Sequence, residues 1–144
     1  MIAIEPNLKE ELEALKRKNL LNPKDMFEFA KENPGSALWA KLEWDLDKAH
    51  QEYNLWICRE IIQSFKWKYT TQDKEVVETR RWVSLVNDRH DDGGYREIED
   101  VLRSKEMRAK LLQQAKQDFA MWKTRFIVLE KELKPVFDAM DRVK

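Results

Sequence analysis

The stretch "KEMRAKLLQQAKQDFAMWKTRFIVLEKEL", Lys105 to Leu133, decides the fold. Met107, Leu111, Ala115, Phe119, Trp122, Phe126, Leu129 and Leu133 follow one another at steps of three or four residues. Such steps return side chains to one face of a 3.6-residue helix, so the pattern predicts a single long amphipathic helix. Ser104 stands where its N-cap is needed. At 1.5 Å per residue the rod would be roughly 40 Å long. Phe119, Trp122 and Phe126 put rings where a regular zipper has Leu, Ile or Val. That favours a core seam inside the molecule; a homo-oligomer paired through the same stripe is the other outcome the pattern permits. Pro135 should break or restart the helix, leaving 135–143 as a terminal turn that packs Val136, Phe137 and Met140.

Before the long helix, "YREIEDVLRS" reads as a short helix from Tyr95 with Tyr95, Ile98, Val101 and Leu102 inward. Before it the period changes to two. "FKWKYTT" alternates Phe65, Trp67 and Tyr69 with Lys66 and Lys68, and "EVVETRRWVSLV" is rich in Val, Thr and Trp. With "QDKE" between them they predict one β-hairpin over 66–86, with Val77, Thr79, Arg81, Val83 and Leu85 on one face. A lone hairpin is marginal in water, so its apolar side should lie on the helices or on a partner.

A helix is expected over 38–65, with Trp39, Leu42, Leu46, Ala49, Tyr53, Trp56, Ile57, Ile61 and Phe65 on its apolar face. Asp45 and Asp47 argue for a true start near them, with Trp39 to Trp44 as a bent entry. Residues 1–35 hold two shorter helices. One carries Leu8, Leu12, Leu15 and Leu20, and the other is capped by Asn22 with Pro23 in its first turn and ends at Asn33-Pro34-Gly35-Ser36.

Composition bounds the rest. The chain has 144 residues, three glycines and four prolines, and few punctuators mean long elements. One domain, residues 1–144, is expected. Apolar residues at 42% and charged residues at 38% describe a soluble globular protein rather than a disordered one. No run approaches the length of a membrane span, and "MIAIEPNLKE" does not read as a signal peptide. The single Cys58 cannot staple the fold and, being small and apolar, should be buried; its isolation points to a reducing compartment. A formal net charge of zero argues against coating nucleic acid by bulk electrostatics.

"LVNDRHDDGGYREIEDVLRS" looks most like chemistry, with Asp88, His90, Asp91 and Asp92 beside Gly93-Gly94. A hydrolytic metal site needs ligands that converge from several elements, and these are all local. Asp47 one turn before His50 could be drawn into such a site, but no recognised spacing supports it. The residues serve better as a turn, with the glycines at positive φ and Asp91 or Asp92 at the next helix start. None of the motifs GxxxxGK[ST], GxGxxG, HExxH, CxxC or GxSxG occurs, so no enzyme, metal or cofactor is expected.

Surfaces remain. Lys66, Trp67, Lys68, Tyr69, Arg80, Arg81 and Trp82 mix bases with rings on the hairpin, and Arg108, Lys116 and Lys123 add positive charge on the long helix. Such a set can hold a nucleic acid by its phosphates and bases, or anchor a protein partner. The helix bases flank the apolar stripe, which also suits stems that snorkel round a buried seam. Arg81 should either pair with Asp45 or Asp47 or stand in solvent. Trp56 and Trp122 fall on core faces, whereas Trp39, Trp44, Trp67 and Trp82 are too many to bury together.

Taken in order, "LEWDLDKAHQEYNLWICREIIQSF", "RRWVSLVNDR", "GGYREIEDVLRSKEMRAKLLQQAKQDFAMWKTRF" and "LKPVFDAM" resemble a group of small proteins of tailed bacteriophages and prophages. The group pattern runs E-W-D, A-x-H-E-Y-R-L, a hairpin, G-Y-x-x-I-E-D-V-L and V-F-x-A, and the likeness covers about residues 42–140. This chain has Asn54 where the group often has Arg and Cys58 where it often has Ala, so a charge role at position 54 does not carry over from the group. The resemblance implies an accessory protein acting in the cytoplasm of an infected bacterium. The expectation is therefore a mostly α, α+β protein, its helices packed on one long C-terminal helix with a single hairpin. It would be a non-enzymatic phage-type protein that binds a host or phage protein and inhibits a host enzyme or defence complex. DNA or RNA binding is the alternative.

Overall fold

The computed structural model describes residues 6–90 and 94–144. Among these the chain is α+β and mostly α: helices α1 (Pro6–Leu15), α2 (Pro23–Glu32), α3 (Ala37–Lys41) and α4 (Leu46–Ser64), strands β1 (Lys66–Thr70), β2 (Val76–Arg80), β3 (Trp82–Val83) and β4 (Arg96–Glu97), then α5 (Ile98–Arg103), α6 (Lys105–Arg125) and α7 (Glu130–Asp141). The contacts divide the chain into two compact units, Met1–Trp56 and Ile57–Lys144. No helix among the described residues is long and apolar enough to cross a membrane.

The first unit has its own core. Leu8, Ala30 and Leu38 are buried, and Leu12, Leu15, Met26, Phe29, Trp39, Leu42 and Trp44 pack around them. Local chemistry sets the helix ends. The Asn22 side chain accepts from the Lys24 N–H at 2.9 Å, with Pro23 next in line, and Ser36 accepts from the Trp39 N–H at 3.1 Å. Asp45 accepts from the Lys48 N–H at 3.0 Å, so the long helix does start there, after a bend through Leu42 to Trp44. A tertiary contact completes α3: the Glu11 carboxylate on α1 accepts from the N–H groups of both Ala37 and Leu38 at 2.8 Å. It covers two donors that a helix start leaves open. Leu20 departs from the expected stripe. The helix ends at Leu15, and Lys18 and Asn19, both at positive φ, form a tight turn between Arg17 and Leu20 that leaves Leu20 exposed.

In the second unit the expected long C-terminal helix is present but shorter than its stripe, which does not continue as one rod to Leu133. Helix α6 stops at Arg125, a 3₁₀ turn covers Ile127–Leu129, and α7 runs on with Pro135 inside it. The Trp122 and Phe137 rings lie 5.9 Å apart and Lys123 Nζ is 3.2 Å from Asp141. In a straight helix, residues fifteen positions apart would be roughly 22 Å apart, so α7 folds back on α6. Three features explain the break. Phe126, Ile127 and Val128 are a ring followed by two β-branched residues, a poor helical run. The Thr124 hydroxyl donates to the Ala120 carbonyl one turn back, a bond that bends helices. Folding back also buries Phe137 to 2% exposure. At the other end Ser104 caps α6 as expected, accepting from the Met107 N–H at 3.1 Å.

The strands β1 and β2 pair antiparallel, with Trp67 opposite Thr79, Tyr69 opposite Val77, Lys66 opposite Arg80 and Lys68 opposite Glu78. Strand β2 ends at Arg80, however, and the expected continuation to Val86 is a second pairing: Trp82 lies opposite Glu97 and Val83 opposite Arg96. The short helix accordingly begins at Ile98 rather than Tyr95, with Glu97 as its N-cap. Arg81 pairs with Glu97 at 3.1 Å and not with Asp45 or Asp47, because β4 brings a carboxylate beside it. Buried Leu85, Ile98, Val101 and Phe137 form the core here.

Further expectations change. Cys58 and Trp56 are exposed, since no residue of α4 is buried. Gly94 does not take the left-handed φ foreseen for it. The turn assigned to Asp91, Asp92 and Gly93 lies outside the described residues.

Candidate functional site: an arginine-lined cleft and an uncovered apolar face

Two periodicities meet beside the hairpin root. Along an extended segment alternate residues share a side, so Arg80 and Trp82 point one way and Arg81 the other. On α4, Arg59 and Gln63 stand one turn apart, and on α6 Leu111, Gln114 and Asp118 share a face. These positions, with Val83, Ser84, Arg89 and Tyr95, line one cleft of about 550 Å³. Its wall is pinned from both sides. Gln114 accepts from the Val86 N–H at 2.8 Å and donates to the Ser84 carbonyl at 3.2 Å, tying α6 to the segment after β3. Asp88 takes a bidentate pair from Arg96, 2.8 and 2.9 Å, which holds the turn after β3 against β4. The Arg96 hydrogen bond keeps the Asp88 carboxyl below the usual carboxylate range, and the same bond raises Arg96.

The arginines of the cleft differ from those on the adjoining β3–β4–α5 segment. Arg81, Arg96 and Arg103 each meet a carboxylate. Among the described residues Arg59 and Arg80 meet none, and Arg89 donates only to the Ser84 carbonyl at 3.4 Å. Asp118 is, among the described residues, the one carboxylate in the lining.

The other candidate residues are dispersed. Trp67 and Tyr69 lie on the hairpin face opposite Lys66, Lys68 and Arg80, so rings and bases do not alternate on one surface. Their rings are 5.5 Å apart, and the Trp67 indole N–H donates to Glu99 at 2.7 Å, closing a small pocket with Arg81 and Glu97. Lys68 faces Glu78 across the strands. Arg108 edges an apolar groove lined by Leu102, Ala109, Leu112 and Ala115. Lys116 is half-buried on α6, and Lys123 is taken up by Asp141 and the face of Phe137.

The chain matches no family model, no curated protein and no solved structure. Its own surface is therefore the guide. No residue of α6 is buried, although its stripe was expected to form the core seam. The stripe is half-covered at both ends, by α5 beside Met107 and Leu111 and where Trp122 meets Phe126 and Phe137. Met121 is 71% exposed and Val128 86%, with Leu112, Phe119, Ile127 and Leu129 also exposed. Beside Trp122 an open apolar depression of about 740 Å³ takes in Ala120 and Met121.

Arg80 and Trp82 were readable as candidates, but Arg59, Gln63, Arg89, Tyr95 and Asp118 were not. The signal present was the Arg59/Gln63 spacing. What assembles them is the pairing of β3 with β4. His50 and Asp47 stay apart from any such cluster: Asn54 donates to the His50 carbonyl at 2.9 Å, and no three His, Cys, Asp or Glu side chains converge among the described residues.

Proposed function

We propose that this chain is a non-enzymatic interaction protein that buries the α6–α7 apolar face against a protein partner. The observation that carries the reading is a 21-residue helix with no buried residue on which Leu112, Phe119 and Met121 stand exposed. Apolar area left in water costs roughly 25 cal/mol per Å² relative to burial, so a partner covering this face gains a large driving force. Phe119, Met121 and Trp122 are the flexible and aromatic anchors that interface centres favour. The resemblance to phage and prophage proteins supports an accessory role, with a host or phage protein as the partner and inhibition of a host enzyme or defence complex as its effect.

A photo-crosslinking amino acid at Met121 tests this in host lysate. One discrete adduct should form, and it should vanish when Leu112→Lys and Phe119→Lys are added; the same probe at Lys68 should not give it. A uniform smear from both positions, or an adduct indifferent to Leu112 and Phe119, would remove the reading. An adduct with a second copy of the chain would make the partner a homo-oligomer.

Nucleic-acid binding is the second reading, favoured by Lys66 opposite Arg80 on an exposed strand face. Its bases are too dispersed to rank it first.

A further inference from the structure

We infer that the cleft at the hairpin root binds a mononucleotide. Three guanidiniums line it, Arg59 from α4, Arg80 from the end of β2 and Arg89 from the turn after β3. Guanidinium groups match phosphate oxygens with paired, charge-assisted hydrogen bonds, and Arg is the side chain suited to that task. On the neighbouring β3–β4–α5 segment the chain neutralises Arg81, Arg96 and Arg103 with its own carboxylates. Arg108, Arg125 and Arg142 meet none among the described residues, but none of them lines this cleft. Among the described residues three guanidiniums gather around this concavity, with Asp118 alone on the opposite sign. An anion entering the cleft therefore meets like-charged groups that repel one another until it arrives.

The remaining lining selects among anions. Trp82 and Tyr95 are half-buried rings on β3 and just before β4, and they offer flat apolar faces for a planar base. The Gln63 side-chain amide has no partner among the described residues, so a donor and an acceptor remain for a base edge. Gln114, by contrast, is fully committed to the backbone and serves as structure. Asp118 can accept from ribose hydroxyls, as a carboxylate does in other nucleotide sites. A half-open cleft of about 550 Å³ lies within the range of small-ligand sites and suits one nucleotide. The cleft meets the depression beside Trp122 at Asp118, but its three arginines lie outside that depression and are altered separately from Leu112, Phe119 and Met121, so the two proposals fail separately.

The test is titration of the full chain with AMP, GMP, CMP and UMP, followed by tryptophan fluorescence and by amide chemical shifts. Inorganic phosphate and an eight-nucleotide oligothymidylate are run alongside. At least one mononucleotide should bind with Kd below about 1 mM. Arg80→Gln and Arg89→Gln should each weaken it by about tenfold or more, as should Arg59→Gln from a different element. Arg81→Gln, on the other side of the segment, should leave it unchanged. Thermal melts of each variant separate loss of binding from loss of fold. The proposal is overturned if no mononucleotide binds, or if the cleft variants that melt like the parent also bind like it. It is equally overturned if phosphate alone binds as tightly, or if the oligonucleotide binds much more tightly than any monomer.

Discussion

Asp88 shows how one side chain secures the cleft. It receives two hydrogen bonds from Arg96 across the turn, and the first of its effects is a carboxyl held below its ordinary value. A folded-state pKa below the unfolded one means stabilisation that is complete above the unfolded value, about 4. It is then lost as pH falls through the lower folded value. Asp88→Asn should therefore lower Tm by a few degrees at pH 7. The gap between parent and variant should narrow as the solution is acidified and close well below pH 4. A gap that stayed constant across a pH series of melts would show that the pair does not hold the turn. Single residues of this sort were partly legible. Asn22, Asp45 and Ser104 act within one helical turn, so their types and positions suffice. Glu11 was illegible because its targets, Ala37 and Leu38, are 26 and 27 positions away, and only the packing of α1 on α3 brings them together.

Elements went astray where periodicity continued across a real boundary. Phe126, Leu129 and Leu133 keep the three-and-four rhythm of α6, so the stripe gives no sign that the helix ends at Arg125. The contrary signals are weaker: two β-branched residues after a ring, and a threonine bonded back to Ala120. The decision rests on Phe137, which can be buried only if α7 turns back onto Trp122. Phe137→Ala should thus cost about 3–5 kcal/mol, as large-to-small core changes do. It should also release amide protection along Glu130–Asp141 more than along Lys105–Trp122 in hydrogen exchange. Equal loss in both helices would mean that α7 is not held by this ring. The β3–β4 pairing escaped for a related reason: two residues per strand are too few to carry a period, so Arg59, Arg89 and Tyr95 could not be grouped with Arg80 and Trp82 from sequence.

At the scale of the whole molecule two properties compound. The chain carries 27 acidic and 27 basic residues, so its formal charge near neutrality is zero. Its apolar side chains stand in solvent along α6, the 3₁₀ turn and α7. Net charge is what keeps exposed apolar surfaces apart, and with a pI near 6.8 that repulsion is least at pH 7. Self-association should accordingly peak close to neutral pH and decline toward pH 5 and pH 9, as light scattering over a concentration series would register. Met121→Lys with Val128→Lys attacks both causes, since each change removes apolar area from the most exposed positions and adds a charge. The double variant should scatter less at pH 7 while keeping the parent's Tm within a degree or two, because neither side chain contributes to the core. If it associates as strongly as the parent, the face that drives association lies elsewhere, and α4, with Leu46, Tyr53, Trp56 and Ile61 exposed, is the next surface to alter.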